Sequence, residues 1–305
     1  MENTALLDAL RLAAIEGADV ALDGFRTDLT VETKSGRFDR VTRIDRAVQR
    51  RVAESLSDAA PDVPFVGEEE TARKDVPDDG LAWVVDPIDG TNNYVAGGVV
   101  WAVAVAATWN GEPVAGVTHL PVVDETYCVG IPADLDGDGG PADLDGDGGP
   151  DEHVDGDGAR WITADDREET DSIARRNGKR IHVSDVDDPS SFTVNPIFGF
   201  SDRHRRHHRR ALETIFEAFG DYRRVGCAQA ALASVASGEL EGSVSTVELN
   251  AWDTVGGVRL IRAAGGRVTD VHGDRWTPGS TGLIATNGTA HDHVVDAFAV
   301  GPSGD

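Results

Sequence analysis

The sequence is poor in lysine and in cysteine. Lys34, Lys74 and Lys179 are its only lysines, and arginine supplies the rest of its 28 basic side chains. Two cysteines, Cys128 and Cys227, cannot build a disulfide framework; they suit a reducing, cytoplasmic interior as small buried residues. Met1-Glu2-Asn3-Thr4 lacks the basic region and apolar core of a secretory signal. No membrane span is expected either, because the apolar stretch 99–109 falls short of the about 20 residues that cross a bilayer. It also alternates, with Trp101, Val103 and Val105 on one side and Ala102, Ala104 and Ala106 on the other, the period of a buried strand.

Acid is what the chain has in excess. Its 54 acidic against 28 basic side chains leave a net charge of −26. Phosphate backbones would meet a repelling field, which excludes nucleic acid as a partner. An acidic, lysine-poor, arginine-retaining surface is expected of a protein in concentrated salt, where the Debye length falls to about 3 Å at 1 M and self-repulsion is screened. With 305 residues, 40% of them hydrophobic, the chain has material for one large domain or two joined lobes.

The first 130 residues read as two helices followed by a largely antiparallel sheet. Leu6, Leu10, Ala13 and Ala14 mark one helix; Ile44, Val48, Val52 and Leu56 mark another after Thr42. Strands are predicted at 64–66, 81–85 (ending at Asp86), 99–109, 114–119 and 126–129, with Asn110-Gly111 as a hairpin turn. Segment 132–158 interrupts this pattern, since the nonapeptide starting at Pro132 recurs unchanged from Pro141 and in degenerate form at 155–158. Asp134, Asp136, Asp138 and Gly139 match the start of a calcium loop. Position twelve, however, is Asp145 in one copy and Val154 in the next, where a bidentate Glu is wanted, and the flanking prolines forbid helices. A flexible acidic insertion is therefore expected, and a calcium-binding scaffold using these repeats is the non-enzymatic alternative. Beyond it, strands are predicted at 161–162 and 180–183, then a helix at 203–219 with Leu212, Ile215, Phe216 and Phe219 as its apolar face. Strands at 222–226, 242–247, 267–271 and 282–286 then alternate with helices at 228–237, 253–264 and 289–299, an α/β half.

Three acidic motifs stand at element ends: Gly67-Glu68-Glu69, Asp86-Pro87-Ile88-Asp89-Gly90-Thr91 and Trp252-Asp253-Thr254-Val255-Gly256-Gly257. Carboxylates at the ends of adjacent strands can converge, and hard oxygen ligands suit Mg²⁺. In the second motif the proline stiffens the turn, the glycine permits close approach, and the Ile88 carbonyl lies between the two aspartates. Taken singly, each motif has an ordinary reading. Asp253 fits a helix N-cap, Asp45 the carboxylate of a capping box with Thr42, and Glu68 and Glu69 two solvated acids.

Together, in order and spacing, these motifs resemble the signatures of the inositol monophosphatase family, part of the lithium-sensitive, magnesium-dependent sugar-phosphatase superfamily. The composition makes the chain resemble an archaeal, halophile-like member. Lys34-Ser35-Gly36 and Thr42-Arg43-Ile44-Asp45 fit the family's segment ahead of the first carboxylates, and Gly226-Cys227-Ala228 its substrate-proximal turn, usually Gly-Ser or Gly-Thr. The resemblance implies an α/β (α+β) fold, a layered α/β/α/β/α sandwich of the inositol monophosphatase and fructose-1,6-bisphosphatase type, and a homodimer. It implies one phosphatase domain over 1–300, with an α+β lobe to about 131 and an α/β lobe from about 159. It further implies two or three Mg²⁺ ions: Glu68, Asp86 and the Ile88 carbonyl on the first, Asp86, Asp89 and Asp253 on the second, and Glu68 reaching a third. Thr91 paired with Asp45 would orient the attacking water, and Glu69 would position another. Gly90 and Thr91 amides would meet the phosphate, and Gly226, Cys227 and Ala228 the rest of the substrate.

The implied substrate is an inositol monophosphate or a related phosphorylated sugar or polyol. Fructose-1,6-bisphosphate, alone or as a dual activity, and NADP or 3′-phosphoadenosine nucleotides are the alternatives. Thr246 stands where animal members carry an inositol-holding glutamate, with Glu248 the nearest acid, and Cys227 replaces the usual hydroxyl residue. The basic run Arg203-His204-Arg205-Arg206-His207-His208-Arg209-Arg210 fits either an exposed helix start paired with surface acids or a site for a second phosphate or a neighbouring subunit.

Overall fold

A computed structural model of the chain describes residues 3–28, 30–33, 40–69, 72–131, 173–198 and 204–299. Lys34-Ser35-Gly36, the repeats of 132–158, the strand expected at 161–162 and Arg203 lie outside the described residues. In chain order the first part contains α1 (Asn3–Gly24), a hairpin of β1 (Val31–Thr33) and β2 (Arg40–Thr42), α2 (Arg43–Ala59), β3 (Phe65–Gly67), β4 (Leu81–Asp89) and the short α3 (Thr91–Val95). Strands β5 (Ala102–Trp109), β6 (Glu112–Leu120), β7 (Glu125–Val129), β8 (Arg175–Arg176) and β9 (Lys179–Arg180) complete a seven-stranded sheet in sequential order from β3. β3 and β4 are parallel, and every later pair is antiparallel.

Period-two patterning accounts for that sheet's burial on both faces. Trp101, Val103, Val105 and Ala107 pack with Leu6, Leu10, Val48 and Val52 of α1 and α2, while Ala102 and Ala106 face the opposite way. Asn110 and Gly111 both take positive φ, 49° and 78°, the geometry that lets a two-residue turn follow the strands' twist.

The second part contains β10 (Thr193–Pro196), α4 (Arg205–Ala218), β11 (Asp221–Tyr222), α5 (Ala228–Ala236), β12 (Gly242–Ser245), α6 (Val255–Ala263), β13 (Arg267–Thr269), β14 (Leu283–Thr286) and α7 (His291–Ala299). Its five strands run in the order β11-β10-β12-β14-β13. Helices α5 and α6 lie between the two sheets, touching β5 and β6 on one side and β12 to β14 on the other, and α4 and α7 cover the outer face of the smaller sheet. With α1 and α2 outside the larger sheet, the layers are α/β/α/β/α.

Small residues set the spacing of the central layer. A Cβ on Gly116 of β6 would lie 2.8 Å from Gly256 Cα, and one on Gly257 would lie 2.5 Å from Leu232 Cβ of α5. Buried Arg259 then fastens α6 to the larger sheet through the carbonyls of Val114 (3.0 Å) and Gly130 (2.8 Å).

Several sequence expectations need correction. β4 does not stop at Asp86 but runs to Asp89 through a register shift that accommodates Pro87, which has no N–H for a regular ladder. β10 is not among the expected strands, because Asn195 and Pro196 disguise a strand whose neighbours β11 and β12 run parallel to it. The strand expected at 222–226 is observed as Asp221–Tyr222, sharing only Tyr222 with it, and the one expected at 180–183 as Lys179–Arg180. On α4, Ile215 and Phe219 are buried as expected, but Phe216 is 65% exposed and pairs edge-on with Tyr222.

Candidate active site

The register shift at the end of β4 pairs Asp86 with Ala104 and Asp89 with Ala102, so the two aspartates leave the sheet within one irregular turn. Gly90 follows at φ 87°, and a Cβ there would lie 3.1 Å from Cys227 Cβ and 3.2 Å from the Gly226 carbonyl. That close approach brings β4 against the start of α5. Asp89 then accepts hydrogen bonds from Cys227 Sγ (3.1 Å), Ala228 N (3.0 Å) and Gln229 N (2.5 Å). A carboxylate at a helix N-terminus is favoured by the orphan N–H groups and the dipole there. Cys227 and Ala228, expected beside substrate, therefore also orient Asp89. Burial and the adjacent Asp89 push the Cys227 thiol's pKa up, which keeps its proton available for that bond.

Asp253 reaches the same point from a turn that stands ahead of α6 and packs against β4 and β5. It ends a 3-10 turn, Ala251–Asp253, and Thr254 is the residue that precedes α6, so Asp253 is not an N-cap. Asn250 Nδ2 donates to its Oδ2 at 3.0 Å, and Gln229 Nε2 donates to the Trp252 carbonyl at 2.8 Å. One oxygen from each of Asp86, Asp89 and Asp253 lies within 4.8 Å of the others. Burial first, then the charges of Asp89 and Glu68, push the Asp253 carboxyl up to about 8. Burial also raises Asp89, against the hydrogen bonds that favour its ionised form. Three clustered carboxylates, Asp86 and Asp89 buried and Asp253 half-buried, form a hard-oxygen donor set, and a divalent cation relieves their repulsion. The residues present fit a metal.

Glu68 and Glu69 follow β3, whose parallel pairing with β4 puts them beside Asp86. Glu69 is buried, and its N–H donates to Gln49 Oε1 of α2 at 2.7 Å. Glu68 is half-buried and within the field of Asp253. Asp45 serves two partners. Its Oδ2 accepts from Thr42 N (2.8 Å) and Thr42 Oγ1 (2.6 Å), the capping box of α2, and its Oδ1 lies 3.3 Å from Thr91 Oγ1. Thr91 Oγ1 is also 3.0 Å from the Ile88 carbonyl. Asp45 therefore closes the capping box with one oxygen and lies beside the Thr91 hydroxyl with the other.

Gly226 takes φ 78°, and a Cβ there would meet the Asn93 amide at 3.2 Å. Asn93 Nδ2 in turn donates to the carbonyls of Val100 (2.7 Å) and Val225 (3.1 Å), tying α3 to that turn. Glu248 lines a cleft of about 470 Å³ with Lys74, Asn250 and Trp252, on the flank of the aspartates. The supporting residues Gln49, Lys74, Asn93 and Gln229 are not singled out by the sequence motifs. Only Lys74 carries a signal there, as one of three lysines.

The inositol monophosphatase family model matches residues 2–300. The chain belongs to the inositol monophosphatase family. It is 29% identical to a fructose-1,6-bisphosphatase/inositol-1-monophosphatase of Aquifex aeolicus, over 97% of this chain and 96% of that one. It is 30% identical to the inositol-1-monophosphatase ImpA of Mycolicibacterium smegmatis, over 95% and 92%. Among solved structures, the extragenic suppressor protein SuhB of Bartonella henselae superimposes with a TM-score of 0.78 at 24% identity, covering 98% of this chain and all of that one, a likeness of fold. The IMPase of Thermotoga maritima superimposes with a TM-score of 0.73 at 26% identity, covering 94% of each. As an inositol monophosphatase-family chain this protein is a phosphoric monoester hydrolase, and the family's dependence on metal matches the acidic cluster found at the end of β4.

Proposed function

We propose that this chain is a Mg²⁺-dependent phosphatase of inositol monophosphate or a closely related phosphorylated polyol or sugar. The convergence of Asp86, Asp89 and Asp253 within 4.8 Å carries the reading. Glu68, Asp86 and the Ile88 carbonyl would hold one Mg²⁺; Asp86, Asp89 and Asp253 would hold a second; Glu68 would reach a third. Bound Mg²⁺ supplies Lewis acidity to the phosphoryl group and makes water a nucleophile near neutral pH.

The chain's own groups orient the reaction. Thr91 Oγ1 has one proton and two acceptors, Asp45 Oδ1 and Ile88 O, so its lone pairs are turned towards a water entering beside the phosphoryl group. A proton leaving that water passes to Thr91 while Thr91 passes its own to Asp45. Glu69, buried behind Glu68, positions a further water. The N–H groups opening α3, from Gly90 and Thr91, have no acceptor within that helix and donate to the phosphate oxygens. Water attacks phosphorus in line, the P–O bond to the polyol breaks, the departing alkoxide takes a proton from the further water that Glu69 positions, and inorganic phosphate and the free alcohol leave.

A dual activity on fructose-1,6-bisphosphate is the second reading. Arg224, whose charge acts on Asp89, lies 5.4 Å from the Phe198 ring, and His208 stacks on that ring at 4.4 Å. This joins the basic start of α4 to the carboxylate site, and the Aquifex aeolicus relative carries both activities in its name. The remaining parts of the proposal are a homodimer, a cytoplasmic setting and adaptation to concentrated salt. Composition supports the last, and family resemblance the first. The deciding experiment is phosphate release from a panel of inositol, sugar and nucleotide phosphates with Mg²⁺ in molar KCl, with and without Li⁺. Mg²⁺-dependent, Li⁺-inhibited release from inositol monophosphates supports the proposal, and release confined to nucleotides refutes it.

A further inference from the structure

Lys74 donates from its ammonium to three consecutive carbonyls of one turn of backbone. Its Nζ lies 2.8 Å from the Gly67 carbonyl, 2.7 Å from that of Glu68 and 2.9 Å from that of Glu69. The same nitrogen lies 5.2 Å from the centre of the Trp252 ring. The turn is closed around it by Gly67 N donating to Arg73 O (3.1 Å) and Ala72 N to Glu69 O (3.1 Å).

We propose that Lys74 is a positioning residue, a tethered cation that shapes the Glu68-Glu69 turn and docks it on the Trp252-Asp253 turn, so that the carboxylates of two distant segments face the same metal centre. The inference rests on the metal-dependent phosphatase reading. With three consecutive carbonyls drawn to one point, the rest of the turn is committed. The Glu69 N–H is held by Gln49, and the turn continues directly from β3, the strand paired with β4. The ammonium over Trp252 then couples this turn to Asp253, whose other flank is fixed by Gln229 through the Trp252 carbonyl.

Lysine is specifically required. An ammonium is a compact charge with three donors, whereas a guanidinium is a planar fork matched to a carboxylate or phosphate, not to three oxygens around one centre. Arginine supplies nearly all of this chain's other positive charge, yet position 74 is lysine.

The test uses the full chain in molar NaCl. Mg²⁺ affinity is measured calorimetrically without substrate, and Mg²⁺ activation is followed with p-nitrophenyl phosphate as probe. In Lys74→Met and Lys74→Arg alike, Mg²⁺ binding and half-activation should weaken about tenfold, the usual cost of losing a group that orients a metal's ligands. The maximal rate at saturating Mg²⁺ and the Tm in EDTA should stay near wild type. A purely structural role would instead lower Tm and leave the Mg²⁺ constant of the folded fraction unchanged, which overturns the inference. Wild-type Mg²⁺ binding in a folded Lys74→Arg overturns it too, as does loss of cooperative unfolding in both variants. A wild-type chain that binds no Mg²⁺ overturns the proposed function and this inference with it, whereas equal binding by wild type and variants overturns this inference alone.

Discussion

Replacing Asp253 by asparagine should stabilise the metal-free protein at alkaline pH while destroying its response to Mg²⁺. An aspartate ordinarily titrates near 3.8, but burial beside Asp89 and Glu68 holds Asp253 protonated up to about 8. A carboxyl whose folded-state pKa is raised contributes stability that is complete below its unfolded value and is lost as pH climbs towards the folded one. The window is therefore about pH 4 to 8, and the native state is weakest above it. At 1.36 kcal/mol per tenfold change in proton affinity, this displacement corresponds to on the order of 5 kcal/mol. In a chain of this size that is on the order of 10 °C in Tm. The substituted amide would keep an acceptor for Asn250 without the charge. Differential scanning fluorimetry in EDTA and molar KCl, from pH 5 to 9, should show Asp253→Asn gaining on wild type steadily as pH rises. The subtraction removes the opposite trend of His119, His208 and His291, whose burial lowers their pKa and whose contribution is lost as pH falls. With Mg²⁺ added at pH 8, wild type should rise in Tm and the variant should barely move. A variant less stable than wild type at pH 9 without metal, or a difference independent of pH, refutes the reasoning.

Other perturbations separate chemistry from scaffold. Thr91→Val removes the hydroxyl that joins Asp45 to the Ile88 carbonyl, and kcat should fall about a hundredfold or more with Tm within a few degrees of wild type. Asp45→Asn should cost a similar factor and, by weakening the α2 capping box, about 1 kcal/mol in denaturant unfolding as well. Gly116→Ala forces a methyl to 2.8 Å from the Gly256 backbone, so urea unfolding should report a loss of about 1–3 kcal/mol. Deleting 133–157 should leave Mg²⁺-dependent hydrolysis in place, whereas a calcium scaffold would lose its ligand with that segment.

Motifs that combine unusual residues at fixed spacing are legible in the sequence, as are strands buried on both faces. The alternation at 101–107 announces β5 because large and small residues serve different layers, the α1/α2 layer and the α5/α6 layer. β10 is hidden because its neighbours in space, β11 and β12, lie well along the chain and supply no local pattern. Phe216 misleads for a related reason. Helical spacing puts it beside Ile215, but α4 buries only a narrow stripe, and Phe216 turns outward to Tyr222. In the site, the carboxylates can be read and their supports cannot. Gln49, Asn93 and Gln229 act through one or two hydrogen bonds to backbone, a role that leaves no period and no composition bias.

Two charge problems coexist in this chain, and they have different solutions. The net charge of −26 belongs to the whole chain, and concentrated salt, with a screening length of about 3 Å at 1 M, quiets the part of it that meets solvent. Asp86 and Asp89 are buried and Asp253 is half-buried beside them, so monovalent ions at the surface do little for oxygens gathered within 4.8 Å. Their repulsion is met internally, by the N-terminus of α5 on Asp89, by Asn250 on Asp253 and by protonation. Each of these is a weaker remedy than a divalent cation. The fold thus holds its carboxylates in a geometry that costs stability until metal arrives, and a dianionic phosphate can approach only once that charge has been reversed.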